Sequence, residues 1–200
     1  MMSGRRFEWL SPAVFAVASS ASAQDYVVEG HKTSTVRVIA YEDLQCPDCA
    51  VYRKMLDEKL LPEYGGSVAF EHREYPLRKH QWARQASIAA RYFGSLKPGT
   101  GIAFRRFCAS HLRQITADNF PDKLQEFANA NGTDPDKAVA ALNDAVLAKV
   151  VEDEFKEGVA RGVARTPTVF VNGEPFIETF TFEDISKSID AALAAVKKTK

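Results

Sequence analysis

Residues 35–49 read TVRVIAYEDLQCPDC, an alternating apolar segment that runs directly into two cysteines. The segment 35–41 is rich in β-branched residues and alternates, which predicts a strand. From residue 46 to residue 64 apolar positions recur at helical spacing, and Pro47 occupies the first helical position, where proline is favoured. A second alternating run over residues 67–75 predicts another strand. The N-terminal part of the fold is therefore predicted to be β–α–β.

The middle of the chain predicts only helices. A period of 3.6 residues is present in segments 82–93, 102–112 and 120–128. Asp134 and Pro135 are the residue types favoured at an N-cap and a first turn, so they predict a further helix. This helix is predicted to run through Ala138, Leu142 and Val146, and its end is left open between there and Val159. No linker rich in proline, glycine and serine separates this region from the rest.

The C-terminal part predicts a hairpin followed by a helix. In order, the elements are a strand over residues 168–171, a turn at Asn172-Gly173, a return strand over residues 175–180 and a helix over residues 182–197. Thr181 and Asp184 resemble a capping box for that helix. The whole chain thus predicts an α/β fold ordered β–α–β, an all-helical insertion, and β–β–α.

Composition limits the function classes. The chain has 200 residues, 46% of them hydrophobic, which is enough for one well-packed domain. It carries 26 basic and 26 acidic residues, so it lacks the basic field typical of nucleic-acid binding. We therefore expect no nucleic-acid partner.

Residues 1–23 have the order of a secretory signal peptide. Its parts are the basic pair Arg5 and Arg6, an apolar stretch over residues 9–18 and the small-residue cleavage site Ala21-Ser22-Ala23. The apolar stretch is far shorter than the ~20 residues of a spanning helix. We expect cleavage before Gln24 and a periplasmic or otherwise exported protein. The alternative is an amphipathic or disordered N-terminal tail.

The pair Cys46 and Cys49 predicts redox chemistry. A cysteine at a helix N-terminus has a stabilised thiolate, because backbone N–H groups and the helix dipole favour negative charge there. We expect Cys46 to be the exposed nucleophile and Cys49 the more buried resolving thiol. Pro47 restricts the turn between them. Asp48 places a negative charge near Cys46, which raises its pKa relative to a neutral or cationic residue and predicts a less oxidising couple.

Other uses of the cysteines are less well supported. A closed zinc site needs a second Cys or His pair at matching spacing, and none is present, so we expect no metal. Cys108 shares a helical face with Phe104, Phe107 and His111, which favours a buried unpaired thiol. Trp82, Tyr92 and Phe93 are expected in the core of the insertion. Pro167, just before the predicted hairpin, is compatible with a cis bond or with a trans proline that begins a strand.

The run Gln45-Cys46-Pro47-Asp48-Cys49, the run 162–168 (GVARTPT) and the segment 169–173 (VFVNG) resemble the DsbA-like thiol–disulfide oxidoreductases of thioredoxin fold. The resemblance covers residues 26–197. It implies a thioredoxin-like first half over residues 24–80, a helical insertion over residues 81–160 and a second half over residues 161–200. These form one structural domain overall.

The resemblance also implies roles for individual residues. Pro167 would be the cis-proline facing both sulfurs, and Thr166 would offer backbone hydrogen bonds to a bound peptide. The family often has a buried acid six residues before the first cysteine, where this chain has Ala40. Glu42, Asp43 or a water molecule would then be the proton relay for Cys49.

We therefore expect an exported enzyme that forms disulfides in secreted proteins through the Cys46–Cys49 couple. Its partners would be cysteine-containing exported polypeptides and a membrane redox partner that reoxidises or reduces it. We expect a monomer without a cofactor. The alternatives are a disulfide reductase or isomerase and, in other classes, a Cu(I) carrier or a peptide-binding chaperone. The direction of electron flow depends on a reduction potential that the sequence does not provide.

Overall fold

The computed structural model describes residues 27–198, and in that range the strands form one five-stranded sheet of order β1-β3-β2-β4-β5. The strands are β1 (Val27–Gly30), β2 (Arg37–Glu42), β3 (Ala69–Glu74), β4 (Thr168–Val171) and β5 (Glu174–Ile177). Only β2 and β3 pair in parallel; the other neighbours are antiparallel. Strand β2 lies at the centre of the sheet, and the chain leaves its carboxyl end toward the cysteine pair.

Helices, connected by loops and turns, make up most of the remaining described range. They are α1 (Pro47–Met55), a π-helical turn (Leu56–Leu60), α2 (Leu61–Tyr64), α3 (Ala83–Leu96), α4 (Pro98–Ser110), α5 (Phe120–Ala130), α6 (Pro135–Ala140), a 3-10 turn (Ala141–Asn143), α7 (Ala145–Ala160) and α8 (Phe182–Lys198). The predicted α/β fold with a helical insertion is confirmed. None of these helices is both long and apolar enough to cross a bilayer. The predicted signal peptide, residues 1–23, lies outside the described residues.

Capping residues explain where several helices begin. Asp134 accepts hydrogen bonds from the backbone N–H groups of Asp136 and Lys137, as its residue type predicts. Asp144 does the same one turn past the end of α6, accepting from Val146 and Leu147. The prediction of an unbroken helix from residue 135 through Val146 is therefore wrong. A second N-cap starts a new helix there.

Two strands differ from the sequence prediction. Strand β1 has only four residues, too few to display a period, and it forms because Val27 to Gly30 pair with the free edge of β3. The return strand β5 ends at Ile177 rather than at residue 180. Glu178 adopts a positive φ of 54° and donates its backbone N–H to the carbonyl of Pro167 at 2.8 Å, which turns the chain out of the sheet.

Two large apolar cores and a small cluster of Tyr41, Tyr75 and Val163 are buried in the described residues. One lies inside the insertion and contains Trp82 and Phe93, with Tyr92 packed against it, as predicted. The other fills the space between the sheet and helices α1 and α8, and includes Tyr52. The second core packs β2 against α1 through Val38, Ala40 and Tyr52, and the small cluster contains Tyr41 near the carboxyl end of β2.

Candidate active site

Cys46 is the N-cap residue of α1, and Pro47 is the first helical residue. Its Sγ lies 3.3 Å from the carbonyl oxygen of Thr166. The side chain is only 5% exposed, so the expectation of an exposed nucleophile is wrong for this state of the protein. The reason is tertiary: the loop that carries Thr166 packs over the sulfur, and sequence periodicity does not report on such a contact.

Cys49 lies one turn further along α1 and is 4% exposed. The backbone N–H of Asp43 donates to its Sγ at 3.4 Å. Burial raises the pKa of Cys49 well above its ordinary value, and the nearby charges of Cys46 and Glu42 raise it further. Cys49 is therefore a protonated thiol at neutral pH and needs a proton acceptor before it can attack a disulfide.

Cys46 behaves in the opposite way. A hydrogen bond from Cys49, joined by backbone N–H groups of the first turn of α1, lowers the pKa of Cys46 from 9.0 to about 6 in spite of its burial. At neutral pH most of Cys46 is thiolate, the form that attacks disulfides. Two cysteines of the same helix thus have pKa values pushed far apart, as a nucleophile and a resolving thiol require.

The loop before β4 faces the cysteines. The Thr166–Pro167 peptide bond is cis. The carbonyl of Thr166 points at Cys46, while the carbonyl of Pro167 accepts from the backbone N–H of Glu178. Thr168 caps the turn by donating its hydroxyl to the carbonyl of Arg165 at 2.7 Å. The structure thus brings the predicted Thr166 and Pro167 to the sulfurs; peptide binding by this loop stays a prediction.

Glu42, the last residue of β2, lies beside Cys49. It is buried, and it lines a cavity of about 10 Å³ together with Cys49. His72 Nδ1 lies 2.5 Å from Glu42 Oε2, and Arg105 lies 3.7 Å from the same oxygen. Burial opposes ionisation, but the charges of His72 and Arg105 outweigh it and lower the pKa of Glu42. Glu42 is thus a carboxylate held at the edge of the space beside Cys49.

Asp43 is fully occupied elsewhere. One carboxylate oxygen accepts from the backbone N–H of Gln45 at 2.7 Å, and the other accepts from the backbone N–H of Leu77 and from His80 Nδ1. Burial raises the pKa of Asp43 despite these bonds. It contacts the cysteine pair through its backbone: its N–H donates to Cys49 Sγ, and its carbonyl accepts from the backbone N–H of Cys46. Of the two relay candidates, the geometry therefore separates Glu42, beside Cys49, from Asp43, which organises loops.

A network of buried charges behind the site was not predicted. His72 lies in β3 directly opposite Ala40 of β2. Its ring contacts Glu29 and Glu42, and Arg53 and Arg105 pair with these two carboxylates; all of them are buried. One sequence signal was available: His72 continues the inward alternation of Val68 and Phe70, an unusual place for a polar residue.

Cys108 lies away from this site. It is fully buried among the aromatic residues of the insertion core, and burial raises its pKa far above the ordinary value. The prediction of a buried thiol is confirmed. Within residues 27–198 no three His, Cys, Asp or Glu side chains are grouped so that they could hold a metal ion.

Asp48 is exposed, between the two cysteines in the first turn of α1. We expect the substitution Asp48→His to lower the pKa of Cys46 by a few tenths of a unit to about one unit, because a negative charge is removed beside the thiolate in solvent-screened surroundings. Thiolate absorbance in the ultraviolet during a pH titration measures this shift. An unchanged or raised pKa would contradict the predicted tuning role, and Glu58→Gln, an exposed acid further along the same helical segment, is the control.

Comparisons with known proteins agree on family and fold. A family model described as thioredoxin matches residues 22–191. A curated protein of Rickettsia prowazekii, named as a candidate protein-disulfide oxidoreductase, is 28% identical over 171 residues, which cover 84% of this chain and 61% of that protein. A protein of the same description from Rickettsia typhi is 26% identical and matches over 87% of this chain and 64% of its own length. The chain therefore spans less than two thirds of these relatives.

Solved structures show the same architecture. Wolbachia pipientis alpha-DsbA1 superposes with a TM-score of 0.76 at 16% identity, covering 88% of this chain and 95% of that one. Chlamydia trachomatis DsbA superposes with a TM-score of 0.73 at 13% identity, covering 87% and 94%. At these identities the likeness establishes the fold, and it confirms the resemblance drawn from the sequence at that level.

Proposed function

The chain belongs to the thioredoxin family, and from this premise we propose that it is a DsbA-like thiol–disulfide oxidoreductase with Cys46 as nucleophile and Cys49 as resolving thiol. One observation carries the proposal: a Cys46 thiol with a pKa of about 6 at the start of a helix, facing the Thr166 carbonyl of a cis-proline loop. A structural cysteine buried in apolar surroundings has its pKa raised, as at Cys108, rather than lowered.

The reaction proposed is disulfide formation in a cysteine-containing polypeptide. A substrate thiolate attacks Cys46 of the Cys46–Cys49 disulfide, a mixed disulfide forms, and Cys49 leaves as a thiolate that takes up a proton. The second thiolate of the substrate then attacks the substrate sulfur that is bonded to Cys46. The substrate disulfide forms, and Cys46 leaves as a thiolate. Two electrons pass from substrate to protein, and a membrane redox partner would remove them again.

The oxidising direction is supported by the ionisation of Cys46. A pKa lowered from 9.0 to about 6 stabilises the reduced protein by about 1.4 kcal/mol at pH 7, equivalent to about 30 mV toward a stronger oxidant. Because the folded pKa is below the unfolded one, this contribution is complete above pH 9.0 and is lost as the pH falls through about 6. Disulfides are strongest as oxidants when their reduced form is stabilised in this way.

Substrate and location are proposed from the same reasoning. We propose that a peptide binds beside Cys46 through backbone hydrogen bonds at the Thr166–Pro167 loop, because such bonds are tolerant of the peptide's sequence. The order of residues in segment 1–23 favours export, where protein disulfides form and persist. We therefore propose that exported polypeptides with cysteine pairs are the substrates.

Turnover and redox equilibrium test the proposal together. The purified protein, supplied with oxidised glutathione, is expected to oxidise a reduced dithiol peptide catalytically. Its own equilibrium with glutathione is expected to give a potential well above the about −270 mV of thioredoxin. Catalysis with a potential near that value would keep the oxidoreductase assignment but favour the reductase direction. No catalysis in either direction would contradict the proposal altogether.

A further inference from the structure

His72 is a buried imidazole clamped between two carboxylates. Its Nδ1 lies 2.5 Å from Glu42 Oε2, and its Nε2 lies 2.9 Å from Glu29 Oε1. The three residues come from adjacent strands β2, β3 and β1, so the sheet itself sets their spacing. Both nitrogens donate when the ring is protonated, because carboxylates only accept. A neutral ring that keeps its proton on Nε2, toward Glu29, leaves Nδ1 free to accept a proton from Glu42.

The charged and titratable groups around His72 come from four helices. Helix α1 contributes the Tyr52 hydroxyl and Arg53, which lies 2.6 Å from Glu29. Helix α4 contributes Arg105, 3.7 Å from Glu42, and Arg106, 2.9 Å from Glu29. Arg91 of α3 lies 3.4 Å from the His72 carbonyl and pairs with Glu154 of α7. Burial works against a charged ring, but the carboxylates of Glu42 and Glu29 prevail and raise the pKa of His72.

Glu42, His72 and Glu29 form a triad, and its Glu42 end lies beside the resolving cysteine, Cys49. Glu42 and Cys49 line the same cavity, whose volume of about 10 Å³ is close to the space that one water molecule needs. The negative charge of Glu42 contributes to the raised pKa of Cys49, so the two groups are close enough to influence each other's protonation. At the other end, Glu29 meets Arg106, whose side chain is 45% exposed. The triad thus connects the cavity beside Cys49 to the protein surface.

We propose that His72 is a positioning residue of the resolving step, holding the Glu42 carboxylate against Cys49 and exchanging through it the proton that Cys49 loses and regains. This rests on the proposed function, since it assigns a proton acceptor to that reaction.

The step balances as follows. The S–H bond of Cys49 breaks, and its proton passes to an oxygen of Glu42. From there the proton passes to Nδ1 of a neutral His72. The Cys49 sulfur then forms a bond to the Cys46 sulfur. The bond between Cys46 and the substrate sulfur breaks, and the substrate leaves with the electron pair as a thiolate. In the reverse direction, Cys49 leaves as a thiolate and takes the proton back.

A two-phase reaction separates this step from the first attack. Reduced protein is mixed with an aromatic disulfide reagent that releases one coloured thiolate when Cys46 attacks and a second when Cys49 displaces it. All variants carry Cys108→Ala, which removes the third thiol. The rate of each phase is followed by stopped flow across a range of pH values. The first phase reports on Cys46 and the second on proton loss from Cys49.

Two substitutions test the role of His72. His72→Asn keeps an N–H near Nδ1 but cannot take up a proton; we expect its second phase to be slowed about tenfold or more and to lose its rise with pH. Glu29→Gln removes one of the two carboxylates that raise the pKa of His72, so the rise of the second phase should move to lower pH. In both variants the first phase, with its midpoint near pH 6, should change less than about twofold.

Glu71→Gln is the matched control. Glu71 is a buried acid of the same strand that pairs with Arg37 and Arg73 instead, and its loss should leave both phases unchanged. If His72→Asn is not recovered folded, the Glu29→Gln profile decides alone. A second phase with unaltered rate and pH profile in the folded variants would overturn the inference. The proposed function would stand in that case, because it is judged by turnover of a dithiol peptide and not by this reagent.

Discussion

Replacing Cys46 with serine is expected to lower the rate of thiol–disulfide exchange by more than about a thousandfold, to the uncatalysed background. The reason lies in the pKa of about 6 that the helix start and Cys49 give to Cys46. A serine hydroxyl at the same place remains protonated and forms no disulfide. Oxidation of a reduced dithiol peptide in the presence of oxidised glutathione measures the effect.

Two other cysteines of the chain provide the controls. Cys49→Ser keeps the Cys46 thiol and should accumulate a mixed disulfide with a peptide that carries a single cysteine, visible by mass spectrometry, because neither Cys49 nor a second peptide thiol is present to resolve it. Cys108→Ala removes a thiol that is equally buried but lies in the insertion core, and it should retain the wild-type rate. Turnover that persists in Cys46→Ser would contradict the assignment of the nucleophile.

The second large effect is on stability. Replacing Asp43 with alanine is expected to lower the free energy of unfolding by about 3 kcal/mol or more. The carboxylate accepts hydrogen bonds from the Gln45 and Leu77 backbones and from His80, and alanine leaves these donors without their acceptor in a buried place. Urea denaturation followed by circular dichroism gives the change in unfolding free energy.

Asp48→Ala is the matched control for this loss. Asp48 is an acid only five positions along the chain, but it is exposed, and its removal should change the stability by less than about 0.5 kcal/mol. A loss in Asp43→Ala as small as that of the control would show that the hydrogen bonds of Asp43 contribute little. Folded Asp43→Ala should still carry out the second phase of the reagent reaction, since Asp43 contacts the site through its backbone.

Local patterns were sufficient for most secondary structure. The residue types at Asp134 and at Thr181 with Asp184 have local effects, because a cap bonds to backbone N–H groups two or three residues away. The break before α7 was missed although Asp144 is the same kind of residue as Asp134. An apolar pattern that continued through it outweighed the cap in the prediction. Strand β1 was missed because its formation depends on the edge of β3, more than forty residues away.

The residues of the candidate site also differ in whether a local sequence pattern or a tertiary contact identifies them. The pair Cys46 and Cys49 and the Thr166–Pro167 loop were found because each is a short contiguous motif. The sequence left Glu42 and Asp43 as equal candidates, since neighbouring residues in a strand differ only in the face to which they point. Their separation needed the positions of Cys49, Leu77 and His80, which belong to three different segments.

By itself, the stretch 35–49 determined that a strand leads into a helix beginning at a cysteine pair, because strand alternation, helical spacing and the place of proline are properties of consecutive residues. Only the tertiary structure decided how that pair ionises. The loop at residue 166 buries Cys46, and β1 and β3 bring Glu29 and His72 to Glu42. A pKa depends on the charges and burial around a group in space, and those are contributed by segments that no local pattern relates to each other.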